Sequence, residues 1–242
     1  MALYNDWFGL GLFFGFLVLI GLPVVLLKVC FNVPFELIRK MYHMVITLSI
    51  FPLVKLFSAW YMAVLAAFLL VLIAYPLLTL VEKSALYRRI AVEREGGEFK
   101  RSLIIVQVSI ALMIIVFWGL LGAEWKYVAV AAVMAWGFGD AAAALVGKNF
   151  GRRRILHPRI KGTKTMEGTQ AMFVTAGVAI FFTFLIYAAQ PWHVSLAVAL
   201  LAAPVSAIVE LFSNRGMDTL TVPITTGLTV LSLMSLFSYL GI

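Results

Sequence analysis

The amino-acid sequence predicts an all-α polytopic membrane protein with about eight transmembrane helices. Three observations predict it. The 242 residues are 63% hydrophobic and only 12% charged, where a soluble domain is about a quarter charged. The mean hydropathy is +1.03. The apolar runs also recur at the length of ~20 residues that a helix needs to cross a bilayer.

Spans are expected near 7–29, 41–57, 60–81, 103–122, 126–147, 169–189, 193–213 and 222–240. The first run follows Asp6 with no early Lys or Arg and is too long for the h-region of a signal peptide. The second is short, carries His43 and Pro52, and turns almost directly into the third. Between the third and fourth, "EKSALYRRIAVEREGGEFKR" mixes both signs of charge around a Gly pair, as a solvated extension with a hinge would. With no repeat or long linker, residues 1–242 are expected to form one domain, with polar loops near 82–102 and 148–168.

The net charge of +8 is uneven. Counted by alternate loops, every Lys and Arg except Lys55 and Lys126 falls on one side. The positive-inside bias places that side in the cytoplasm and both termini opposite. A single cysteine, Cys30, excludes an intramolecular disulfide and a cysteine-based metal cluster.

Four polar clusters interrupt the apolar background. In "AWGFGDAAAALVGK", Asp140 shares a helical stripe with Ala144, Gly147 and Gly151. That stripe is small enough for another backbone or a ligand to approach closely, and an ionisable group within a span is by default functional. The alternative is a packing face whose Asp pairs with a neighbouring cation. The next loop, from Lys148 to Lys164, carries seven cations and glycines, with Thr163, Thr165 and Glu167 at its end. Backbone amides near glycines together with Lys and Arg suit phosphate, and a few carboxylates plus phosphate oxygens suit Mg²⁺. Equally, such a loop can be only a positive-inside determinant. It is not a Walker A loop, because Asn149 follows Gly147-Lys148 and no strand precedes it.

In "NVPFELIRKMYH", Asn32 reads as a helix cap and Pro34 as a first-turn residue. Glu36, Arg39, Lys40 and His43 then share one helix face, with interfacial snorkelling as the plain alternative for the two cations. In "PVSAIVELFSNRGMDTLTVP", Glu210, Ser213 and Asn214 share a face, Asp218 sits in the turn, and Pro223 opens the last helix.

These segments, in this order, resemble the dolichol kinase, phytol kinase and CTP-dependent diacylglycerol kinase family, and "GTKTMEGT" is most similar to the polyprenol kinase version. About a third of the chain carries the resemblance. It implies a CTP-dependent lipid kinase that moves the γ-phosphoryl group, with Mg²⁺ or another divalent cation, onto the hydroxyl of a membrane lipid alcohol. An isoprenoid alcohol such as a polyprenol, dolichol or phytol is favoured over diacylglycerol. The implied catalytic residues are Asp140, Arg39, Lys40 and Lys164. The resemblance also carries Gly147, Thr165, Gly168 and Glu210, expected at the nucleotide with Lys148, Gly151 and Lys161 of the loop itself, and Glu167 and Asp218, expected with Asp140 at the metal; Glu36, His43 and Asn214, from their shared faces, are expected in support. The chain departs from the family at Thr219, where Asn is usual.

The expected setting is an integral membrane enzyme with its active site facing the cytoplasm, in the cell membrane of a prokaryote or the endoplasmic reticulum of a eukaryote. Its expected partners are CTP, the lipid alcohol and bilayer lipids, not nucleic acid, with self-association into a homo-oligomer left open. A CDP-diacylglycerol synthase-like cytidylyltransferase is the nearest alternative, but the long C-terminal signature of that group is missing here. A transporter using Asp140 and Glu210 as ion or proton sites is the alternative of another class.

Overall fold

The computed structural model describes residues 2–91, 97–160, 163–213 and 216–241. The described helices are α1 (Ala2–Cys30), α2 (Phe35–Leu48), α3 (Ile50–Lys55), α4 (Trp60–Val81), α5 (Ala85–Ile90), α6 (Glu98–Ile114), α7 (Lys126–Phe150), α8 (Met166–Phe182), α9 (Trp192–Phe212) and α10 (Asp218–Tyr239). With α2 and α3 taken as one span, eight helical segments are long and apolar enough to cross a membrane. This is the pattern of an integral membrane protein. No β-strand occurs among the described residues, apart from one isolated bridge.

Two helix starts differ from the sequence reading. The second span begins at Phe35 with Pro34 in the cap position, so Asn32 is not the cap. The last begins at Asp218, which opens α10 instead of lying in a turn, and Pro223 sits inside the helix. In α10 the polar residues at the start hid the helical run. The α2–α3 break has a local cause: Pro52 has no N–H to offer the Leu48 carbonyl. At the opposite ends of two spans, α6 and α8 continue into π-helical turns, Ile115–Leu120 and Thr183–Tyr187.

The chain divides into two compact units, Met1–Ile115 and Val116–Ile242. In the first, α4 packs on α6, and α1 packs along α2 to α5. Asp6 on α1 is buried, yet both its oxygens are satisfied: the Ser58 N–H donates at 2.9 Å and the Ser58 hydroxyl at 2.8 Å. The described residues of the 82–102 segment are tied to the helices on either side, while 92–96, with the first glycine of the expected hinge, lie outside the described residues. Lys100 is buried, donates to Glu82 at 2.7 Å and lies over the Tyr75 ring, joining the end of α4 to the start of α6. Gly97, before α6, has a φ of 79°, a left-handed conformation that glycine adopts without a Cβ penalty.

In the second unit, α7, α8, α9 and α10 pack in a ring, each against the next and α10 back on α7. Helix α7 is the most buried span because its wall is made of Ala, Val and Gly. Small residues let helix backbones approach closely where lipid supplies no hydrophobic drive to associate. Trp136 fills the centre and is fully buried. Two hydroxyl pairs join α9 to α10: Ser206 with Thr226 at 2.7 Å, and Ser213 with Thr221 at 2.7 Å.

Candidate functional site

The site in the second unit is built where α7 ends and α8 begins. Thr165 caps α8, its hydroxyl accepting from the Gly168 N–H at 3.1 Å. The basic loop folds back along this start. The Ile155 N–H donates to the Lys164 carbonyl at 2.9 Å, and the Met166 N–H donates to the Arg153 carbonyl at 2.9 Å. Arg154 and Thr165 form an antiparallel bridge between them. Glu167, half-buried in the first turn of α8, accepts from the Arg153 N–H at 3.3 Å. The loop is therefore held by backbone bonds, leaving Lys148 and the side chains of Arg152, Arg153 and Arg154 exposed.

The small-residue stripe meets α8 as its spacing suggests. A Cβ on Gly147 would stand 3.1 Å from the Thr165 hydroxyl, and one on Gly151 would collide with the Gly147 carbonyl and with Thr165. A Cβ on Gly168 would stand 2.9 Å from the Ala143 carbonyl oxygen and 3.3 Å from the Gly147 Cα. Backbone meets backbone at this point, and neither side can yield as a flexible side chain does. Gly168→Ala is expected to cost about 1–3 kcal/mol by overpacking, read as a lowered thermal midpoint in detergent. An unchanged midpoint would refute the close contact.

Beside this contact, the Lys164 ammonium donates to both the backbone carbonyl and the carboxylate of Glu210 on α9. Glu210 is buried and Lys164 partly buried. The carboxylates of Asp140 on α7 and Asp218 on α10 lie close enough to act electrostatically on Glu210. Three helices and the loop before α8 thus bring Asp140, Lys164, Glu210 and Asp218 to one locality. Among the described residues, no group of three or more His, Cys, Asp or Glu side chains forms a metal cage. The set fits a cation that takes one or two carboxylates and completes its shell with phosphate oxygens and water, as Mg²⁺ does. Glu167 is instead turned to the Arg153 backbone. His157, in the basic loop, packs edge-on to Phe212 with ring centroids 5.4 Å apart. Lys161 and Asn214 lie outside the described residues.

Glu36, Arg39, Lys40 and His43 belong to the first unit, all on α2. Arg39 is paired with Glu36, its Nε and Nη2 donating to one oxygen at 3.1 and 3.0 Å. Lys40 is buried. The shared face that the spacing implied is present as a helix, with its cation at position 39 neutralised within one turn. Sequence reasoning named Lys164 and Glu210 separately but not as partners, because 46 residues separate them. It also missed Tyr42, whose hydroxyl donates to the Ile90 carbonyl at 3.2 Å.

A phytol kinase from Synechocystis sp. is similar to this chain, at 42% identity over 97 residues. The match covers 40% of this chain and 39% of the relative, well under half of either. No protein-family model matches the chain, and no solved structure matches it.

Proposed function

We propose that this protein is a lipid kinase that transfers the γ-phosphoryl group of CTP, with Mg²⁺, to the hydroxyl of an isoprenoid alcohol. The observation that carries this reading is the meeting of Asp140, the Lys164–Glu210 pair and Asp218 beside the pinned basic loop. Partial identity to a protein named phytol kinase supports the choice of alcohol. The choice of CTP rests on the resemblance of the motifs alone.

Phosphoryl transfer asks the protein mainly for positioning and charge stabilisation. In this reading the alcohol oxygen attacks the γ-phosphorus, and the bond from that phosphorus to its bridging oxygen breaks. Nucleoside diphosphate leaves, and the alcohol proton passes to Asp140 or to water. Lys148 and Lys164, with the Thr165-capped start of α8, hold phosphate oxygens; a helix N-terminus adds unpaired N–H groups and a favourable dipole. Lys164 has three N–H donors, and Glu210 takes two of them. The third remains for a phosphate oxygen. Asp140 and Asp218 are the residues that would hold Mg²⁺, which supplies charge neutralisation between phosphates. The Lys- and Arg-rich side faces the cytoplasm, where nucleotides are found.

The test is incubation of purified protein, Mg²⁺ and phytol in phospholipid vesicles with CTP labelled at the α or the γ phosphate. Label from γ in the lipid is expected. Label from α with an acidic lipid present would make the protein a cytidylyltransferase. Ion flux with no lipid label from either position would make it a transporter. Substituting ATP tests the nucleotide.

A further inference from the structure

The first unit contains a cavity of about 380 Å³ between α2, α4 and α6. Its lining changes character along its length. At one end are Arg39, His43, Ser102 and Glu98. Arg39 lies in the second turn of α2 and Glu98 opens α6, so these groups gather where the two helices start. Ile46, Ala74 and Val106 also line the cavity. At 3.6 residues per turn, Ile46 and Val106 lie about two turns beyond Arg39 and Glu98 and about one turn beyond His43 and Ser102, and Ala74 lies about two turns back from the end of α4. Tyr42 and Phe99 brace one wall, their rings edge to face at 5.5 Å.

We infer that this cavity is the binding site for the chain of a single-tailed lipid alcohol, with the hydroxyl at the Arg39–Ser102 end and the hydrocarbon running toward Ala74 and Val106. The inference rests on the proposed kinase reading for its choice of an alcohol. Three observations select the occupant. All three walls are helices apolar enough to span a membrane, so the cavity lies among spans and not in a polar loop. Its volume is at the lower end for ligand pockets, which start at ~300 Å³, and suits one chain better than the two of diacylglycerol. The polar end mixes signs: Arg39 is already paired with Glu36, and Glu98 stands on the same rim. Ser102 and His43 line the cavity beside them. A hydroxyl both donates and accepts, so a rim of mixed charge with a serine suits it. Specificity then lies in the apolar end, where a side chain at position 74 sets how long a tail fits.

Two measurements test this on the full chain in phospholipid vesicles. The first uses an isoprenoid alcohol bearing a photoreactive group near the tail end. Crosslinks are expected on α2, α4 and α6 around Ile46, Ala74 and Val106, and excess phytol should displace them where diacylglycerol does not. Labelling confined to other segments, or insensitive to phytol, overturns the inference. The second compares phosphorylation of phytol and of geraniol by Ala74→Phe. The KM for phytol is expected to rise ~10-fold or more by overpacking and that for the shorter geraniol by less, with an unchanged thermal midpoint as proof of folding. Equal effects on both alcohols, or none, overturn it. Phytol-sensitive crosslinking without any phosphorylated lipid would instead refute the kinase reading and leave the cavity as a lipid-binding site.

Discussion

Asp140→Asn is expected to lower kcat for lipid phosphorylation by ~10²–10⁴-fold, the range for loss of a positioned proton acceptor, while leaving the protein folded. Asn has nearly the same shape, and Asp140 is only partly buried on a helix walled by Ala and Gly. The change therefore removes charge with little change in packing. A Tm within about 1 °C of the parent would show that the lost rate is chemical, since surface and near-isosteric changes usually shift stability by ~0.5 kcal/mol or less. The two roles open to Asp140 separate in the residual activity. A metal ligand lost raises the Mg²⁺ concentration needed for half-maximal rate. A base lost leaves that concentration alone and removes the acidic limb of the pH profile, because the group that must be ionised is gone. Full activity in Asp140→Asn would remove Asp140 from the site and with it the central step of the proposed function.

The parts of this molecule that were legible in the sequence are those that need no partner to specify them. A span is a run of ~20 apolar residues, and lipid satisfies it whatever packs alongside; hence the spans fell within a few residues of the helices. The stripe of Asp140, Ala144, Gly147 and Gly151 was legible for the same reason, since helical spacing alone puts these residues on one face. The start of α10 was missed because a polar residue at a membrane interface reads equally well as loop, and Asp218 is such a residue. What no local pattern carries is pairing across distance. Glu210 reads as a lone carboxylate in an apolar helix, and only folding reveals Lys164 as its partner. The cavity between α2, α4 and α6 was illegible too. It is made by three separate helices, and its marker on α6, Glu98 and Ser102 four residues apart on one face, is too common to single out.

The Lys164–Glu210 pair gives the second large effect, in which stability and activity come apart. Lys164→Met leaves the Glu210 carboxylate buried without its cation, a change that typically costs about 3–5 kcal/mol. The variant is expected to unfold in mild detergent or to accumulate poorly. Adding Glu210→Gln removes the stranded charge. The double variant is therefore expected to recover most of the lost Tm, a strongly non-additive result of the kind that residues in direct contact give. Activity is not expected to recover. If the third ammonium N–H of Lys164 meets a phosphate oxygen, kcat/KM for nucleotide stays down by ~10²–10³-fold, the usual loss when one preorganised donor is removed from a developing charge. Glu210→Gln alone is the informative control. It keeps Lys164 and frees its ammonium from an ionic partner, so it should retain more activity than either variant lacking the lysine. A double variant that is both stable and fully active would mean that the pair only holds α8 against α9. A stable, inactive double variant would mean that Glu210 positions Lys164 and that the lysine meets the nucleotide, so that the same contact that fixes the helix start also presents the charge.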